Sequence, residues 1–249
     1  KAVVVVPHLQ NPLGSVMPDE NKQRLLRFCE ARDIALIEDD TYSALVDGPA
    51  PLRAIKSWDR SGQVIHCASL HKILAPGLRL GWMAAGRWQA RVEMLKYAQT
   101  RNNESLPQLA AGQFMATGAY DRHLRRLRAA LATQREQTAE AIARYFPPGT
   151  RMNVPPGGLQ LWVELPEGLS GNRLCDEALA EQILIAPGSL FSNSGRFDRF
   201  TRLNCGWPYT EEIDAALRRL GEIATGLLRA RPDAQAAGPI RTSATAALP

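Results

Sequence analysis

Hydrophobic and polar positions follow two rhythms along this chain. Up to about residue 84, short apolar runs alternate with polar, turn-rich stretches. Val3 to Val6 is a run of β-branched residues with no polar alternation, the pattern of a central parallel strand. Pro18 then opens a helix with Asp19 and Glu20 in its first turn, where the helix dipole favours negative charge. Leu25, Leu26, Phe28 and Cys29 form its apolar stripe. Ile34 to Ile37 repeats the strand pattern and ends in Glu38-Asp39-Asp40-Thr41-Tyr42. Val64 to Cys67 reads as a third, buried strand and Leu78 to Ala84 as a fourth. Strand–helix–strand units of this kind place their ligands at the carboxyl ends of the strands.

From Trp88 the period lengthens. Residues 88–101 and 106–116 read as helices, and Tyr120 to Tyr145 as one long helix with Leu124, Leu127, Leu131 and Ile142 on its apolar side. Pro147-Pro148-Gly149 stops it. Leu159 to Leu165 alternates as a half-buried strand does. Residues 172–182 read as a helix, and 183–186 and 200–204 as strands. A last amphipathic helix carries Ile213, Leu217, Leu220, Ile223 and Leu227. Beyond Pro232 the Ala, Thr, Ser and Pro content predicts a loose tail. The resulting division is an α/β domain at 1–117, a smaller α+β domain at 118–231 and a flexible tail at 232–249.

Composition narrows the function classes. Of 249 residues, 45% are apolar and 22% charged, ordinary for a globular protein, and no apolar run approaches membrane-spanning length. The formal charge of +5 favours an anionic ligand without identifying nucleic acid as a partner. Cys29, Cys67, Cys175 and Cys205 lie far apart, a usage that argues against a metal site or a disulfide scaffold and suits the reducing cytoplasm. Lys1 runs straight into Ala2 to Val6 without an initiator methionine, the look of a piece cut from a longer protein.

The candidate chemistry centres on Ser69-Leu70-His71-Lys72-Ile73-Leu74-Ala75-Pro76-Gly77-Leu78-Arg79. A lysine amid apolar neighbours is costly to bury unpaired. A desolvated amine can instead form a Schiff base with an aldehyde such as pyridoxal phosphate (PLP). Ser69 and Arg79 then suit the phosphate, as a neutral donor and a two-pronged clamp. Taken alone, Lys72 reads better as a strand-end lysine facing solvent. Asp39, at the end of a buried strand, would pair with a protonated pyridine nitrogen, which draws electrons from the substrate's α-carbon. Asp39 or Asp40 can also cap a turn, and the two acids can divide these jobs. Tyr42 and Asn11 can hydrogen-bond the ring's phenolic oxygen, or satisfy a backbone carbonyl and an Asx turn before Pro12. Arg202, in a predicted buried strand, needs a planar anionic partner and has no nearby acid in sequence except Asp198.

Together, Asn11-Pro12-x-Gly14, Asp39-x-x-Tyr42, Ser69-x-x-Lys72, Arg79, Pro187-Gly188-Ser189-x-Phe191 and Arg202-Leu203-Asn204 resemble the class I/II aminotransferases, the fold-type I PLP enzymes, over about residues 1–228. The resemblance implies the PLP-dependent transferase fold: part of a large domain with a mainly parallel sheet, plus a smaller C-terminal α+β domain. It implies that Lys72 bears the cofactor and moves a proton, and that Asp39 pairs with the pyridine nitrogen. Asn11 and Tyr42 would contact the phenolic oxygen. Ser69 and Arg79 would bind the phosphate with His71. Arg202, with Asn11, would hold the substrate α-carboxylate. The implied reaction transfers amino groups between an amino acid and a 2-oxo acid, in a homodimer whose partner subunit completes each site.

Pro7-His8-x-Gln10-Asn11-Pro12, Ile37-Glu38-Asp39-Asp40 and the arginine-rich stretch Gly118 to Arg128 further resemble the MocR group of GntR-type regulators. That resemblance implies an alternative: an effector-sensing domain with little turnover, reaching DNA only through an N-terminal domain outside this chain. A PLP lyase or decarboxylase on the same scaffold is a third reading, because fold does not fix reaction. The arginine-rich stretch itself reads better as a solvated helix face than as a DNA contact.

Overall fold

A computed structural model describes residues 1–48 and 52–230. The first sheet contains β1 (Ala2–Val5), β2 (Ala35–Asp39), β3 (Val64–Ser69) and β4 (Gly81–Ala84), in that spatial order. β1, β2 and β3 are parallel, and β4 returns antiparallel to β3, with Ser69 opposite Gly81. Helix α1 (Asp19–Glu30) links β1 to β2 and packs Leu26 and Cys29 against Leu36 and Val64.

Three expectations change here. β1 is the edge strand of the described sheet, not a central one, and Val4 is 67% exposed. Its run of valines makes two apolar faces; Val3 and Val5 pack on the α1 cluster, while Val4 faces away from it. In β3 only Val64 is fully buried, and the remainder is half-buried. The fourth strand starts at Gly81 rather than Leu78, because Pro76–Leu78 closes a 3-10 turn and Arg79 takes a left-handed φ of 51°.

α2 (Gln89–Gln99) and α3 (Ser105–Met115) lead to α4 (Gly118–Tyr145), whose first turn is capped by the Thr117 hydroxyl accepting from Ala119 N. Next come β5 (Arg151–Asn153), β6 (Gln160–Glu164), α5 (Gly171–Ala180), β7 (Ala186–Pro187), β8 (Phe200–Asn204) and α6 (Glu211–Arg229). The second sheet is antiparallel in the order β5-β6-β8-β7. Leu161, Val163 and Leu203 from it meet Ile142, Leu174, Leu217 and Leu220 from the helices.

β6 is not half-buried as its alternation predicts: Gln160 to Val163 are all buried. On the face away from that core, Trp162 stacks on Phe200 at 5.1 Å and meets Phe191 and Phe197 edge-on. Those rings come from β8 and the loop before it, beyond the reach of a local pattern. The strand expected at 183–186 shrinks to the two residues of β7, where Pro187, lacking an N–H, sits on an edge strand. The expected tail at 232–249 lies outside the described residues.

α4 joins the two halves. Leu124 and Leu131 pack with Leu9, Leu45 and Leu70, whereas Ala139 and Ile142 belong to the second core. Between them, buried Arg135 pairs with Asp47 and donates to Gly158 O at 2.9 Å. Beside it Asp47 N donates to Pro156 O at 2.8 Å, and Gly158 N to Leu45 O at 2.9 Å. Gly157 fits there because it has no side chain: a Cβ would lie 2.4 Å from Leu45 O, and its φ is +151°.

Candidate active site

The carboxyl ends of β2 and β3 carry most of the chemistry. Asp39 closes β2, and its Oδ1 accepts from Thr41 N at 3.1 Å and from Thr41 Oγ1 at 2.5 Å. This is an Asx turn. No described residue donates to Asp39 Oδ2. Of the two acids, Asp39 is the one that caps the turn, through one oxygen only. Tyr42 follows half-buried. Burial pushes its phenol above the ordinary tyrosine range; the nearby Arg202 charge pulls it down and the Asp39 charge adds to the rise. Tyr42, Asp39 and Arg202 thus share one electrostatic neighbourhood.

Arg202 is half-buried on β8, and its hydrogen-bond partner within the protein is an amide. Its Nη1 donates to Asn11 Oδ1 at 2.9 Å, and its guanidinium carbon lies 5.1 Å from the Phe191 ring centre. Among the described residues no carboxylate forms an ion pair with it, Asp198 included. Asn11 sits in a tight loop in which Gln10 N donates to Ser15 O and Gly14 N to Gln10 O. Gly14, with a φ of +67°, lets this loop abut Pro155: a Cβ there would lie 2.7 Å from Pro155 Cβ.

Lys72 is exposed, not desolvated as its apolar neighbours imply. Leu70 and Ile73 turn into the core, and that turn leaves Lys72 outward. No described residue hydrogen-bonds its ammonium. It borders a cavity of about 200 Å³ that also touches His71, His123, Asn204 and Trp207. Just before it, Ser69 Oγ accepts from His71 N at 3.1 Å. Arg79 Nη1 lies 3.2 Å from His71 Nδ1, which is also 3.1 Å from Pro76 O. The left-handed backbone of Arg79 brings its side chain back to this group. Ser69, His71 and Arg79 are therefore one cluster, and Asn11, Asp39, Tyr42 and Arg202 another. Among the described residues, no hydrogen bond joins the Lys72 side chain to either cluster. A larger cleft, about 590 Å³ between Asp47 and Arg125 on α4, holds none of these residues.

One buried group escapes sequence reasoning. Asp40 Oδ1 lies 2.6 Å from His8 Nδ1, and Oδ2 lies 3.1 Å from His66 Nε2. Burial by itself would raise the Asp40 pKa, but the hydrogen bonds from His66 and His8 outweigh it and hold the carboxyl down at about 2. The same bond to Asp40 raises His66 against its own burial. The partners are 32 and 26 residues away, so no local motif announces them.

The model of the family "Aminotransferase class I and II" matches residues 1–220. The chain belongs to the class I and II aminotransferases. It is 38% identical over 223 residues to the uncharacterized HTH-type transcriptional regulator YdcR of Escherichia coli K12, covering 90% of this chain and 48% of that protein. It is 30% identical over 223 residues to aromatic-amino-acid aminotransferase 1 of Thermococcus litoralis, covering 89% and 54%. The structure of LysN, an alpha-aminoadipate aminotransferase from Thermus thermophilus complexed with N-(5'-phosphopyridoxyl)-L-leucine, superposes with a TM-score of 0.83 at 30% identity. That match covers 92% of this chain and 59% of LysN. The fold is thus that of the fold-type I PLP-dependent aminotransferases, and the chain spans about half the length of the curated relatives it matches.

Proposed function

We propose that this chain is the lysine-bearing part of a PLP-dependent protein of aminotransferase type, which transfers amino groups between an amino acid and a 2-oxo acid. The observation that carries this reading is the Arg202–Asn11 pair beside Tyr42 and Asp39: a guanidinium with a neutral partner, set next to a carboxylate with a free oxygen. The donor set fits PLP. Ser69, His71 and Arg79 offer a hydroxyl, an imidazole and a guanidinium to a phosphate. Asp39 Oδ2 is an open acceptor for a pyridine N–H, and the Tyr42 hydroxyl and Asn11 amide are donors for a phenolic oxygen. When bound, PLP supplies an aldehyde for the amine and an electron-withdrawing ring that acidifies the proton on the substrate's α-carbon.

The residues then divide the work. Lys72, accessible and without a hydrogen-bond partner among the described residues, would tether the cofactor and move the proton at the substrate's α-carbon. Asp39 keeps the ring nitrogen protonated. Arg202 takes the α-carboxylate, with Asn11 fixing the plane of its fork. In this reading residues 1–117 belong to the large, cofactor-binding unit and 118–231 to the small one. The protein is a cytoplasmic homodimer whose second subunit completes the site.

A second reading keeps the same residues but uses them to sense. YdcR and YjiR of Escherichia coli, at 38% and 39% identity, are both named HTH-type transcriptional regulators. In that case DNA is reached through a domain outside this chain, and amino-compound binding is the signal that the domain receives. Full-length protein loaded with PLP and given an amino acid with a 2-oxo acid separates the two. Product amino acid formed over many turnovers supports the transaminase. A spectral change on amino-acid addition without turnover supports the sensor. No PLP uptake would sink both.

A further inference from the structure

Asp40 touches more of the site's framework than Asp39 does. Its side chain is 9% exposed, and each oxygen is committed to a different segment. His8 lies on the loop after β1, three residues before Asn11. His66 lies on β3, three residues before Ser69 and six before Lys72. Asp40 N also donates to Cys67 O at 2.8 Å. A single carboxylate thus ties together the three segments that supply Asn11, Asp39 and Lys72. The tie is made at a cost: His8 is wholly buried and its Nε2 has no hydrogen-bond partner among the described residues.

We propose that Asp40, by gripping His8 and His66, is a positioning residue that sets the spacing of the Asn11 loop and the Lys72 strand about Asp39, and that the grip loosens when His66 loses its proton. The inference rests on the functional reading above. The charged groups facing His66 are Asp40, Glu38 on β2 and Lys56 from the 3-10 turn at Ile55–Trp58; the residue opposite on β4 is Ala84. Asp40 and Glu38 favour the imidazolium and Lys56 opposes it. Because the folded-state pKa of His66 is raised, its stabilisation is complete below the unfolded-state value of about 6.5 and disappears as pH rises through the folded value. Asp40 remains ionised across that window.

The test compares the full-length wild type with Asp40→Asn and His66→Gln. The second variant keeps an N–H donor for Asp40 but cannot titrate. Thermal midpoints of the cofactor-free proteins are measured across pH, and amino-acid affinity of the PLP-loaded proteins is read from the cofactor spectrum. We expect the wild type to be more stable than His66→Gln at mildly acidic pH, with the difference shrinking above neutrality. We also expect amino-acid affinity in Asp40→Asn to fall about tenfold while PLP is retained, and the wild type, unlike His66→Gln, to lose affinity as pH rises. Parallel stability profiles for wild type and His66→Gln would overturn the grip. Unchanged amino-acid affinity in Asp40→Asn, or identical pH profiles for amino-acid binding in wild type and His66→Gln, would overturn the positioning role. A wild type that takes up no PLP would overturn the functional reading and the positioning role with it, while the stability profiles still judge the grip.

Discussion

Arg202 Nη1 donates to Asn11 Oδ1 at 2.9 Å, joining the second sheet to the loop after β1 across 191 residues. An amide oxygen satisfies one N–H of the fork but does not neutralise the charge. A substrate carboxylate supplies what Asn11 cannot, since charge-assisted hydrogen bonds are worth roughly 1.5–3 kcal/mol.

This pair yields two opposed substitutions. Arg202→Lys in the full-length protein should fold and retain PLP, with amino-acid affinity lowered about tenfold or more, because lysine keeps the charge but not the fork. Asn11→Asp should raise the thermal midpoint by forming an ion pair with Arg202 while weakening amino-acid binding by competition. Unchanged affinity in both variants would remove Arg202 from the site.

Lys72 should be the residue that bears the cofactor. Borohydride reduction of the PLP-loaded full-length protein, followed by peptide mapping, should mark the peptide containing Lys72. The competing lysines are engaged elsewhere: Lys56 with Asp59 and Val64 O, Lys96 with Arg101 O and Asn103. Label on either of those would refute the assignment.

Asp39 and Asp40 are adjacent but should differ in kind. Asp39→Ala should keep bound PLP and lose half-transamination by about a hundredfold or more, as expected on removing the partner of the ring nitrogen. Asp40→Ala should be much milder in the same single-turnover assay. The reverse order would mean that the wrong carboxylate faces the cofactor.

The seat of the second unit can be tested without any ligand. Gly157→Ala places a methyl against Leu45 O at a backbone angle that alanine rarely adopts, so stability should fall by about 1–3 kcal/mol in urea unfolding. A wild-type midpoint would show that the two halves are not held at this point.

The elements of this fold were legible wherever one face of a segment is apolar and the other polar. β8 falls at residues 200–204 as its pattern predicts, and α4 ends at Tyr145, before Pro147. Legibility failed where burial depends on distant neighbours. Val4 looks like a core residue but is largely exposed among the described residues, and Gln160 looks like a surface residue but is buried. The site divides in the same way. Asp39 and Tyr42 stand three residues apart, as do Ser69 and Lys72, so these candidates could be proposed from the chain alone. The Asp40–His8–His66 group and the Asn11–Arg202 pair exist only once strands are laid side by side, and the left-handed turn that brings Arg79 to His71 falls on an arginine, with no glycine to mark it.

The 28 residues of α4 form a rod about 42 Å long, rooted in both cores. Buried Arg135, clamped to Asp47 and Gly158, is its fulcrum. For a stiff rod, a tilt of about 5° over the roughly 15 Å from Arg135 to Tyr145 moves the tip by about 1.3 Å. Arg202 is anchored in the sheet that packs on the far arm, so a tilt at Arg135 would change its distance from Asn11. Asp47→Asn should slacken the fulcrum, and hydrogen exchange along β8 should quicken relative to β2; equal protection in both strands would show that α4 bends instead of tilting.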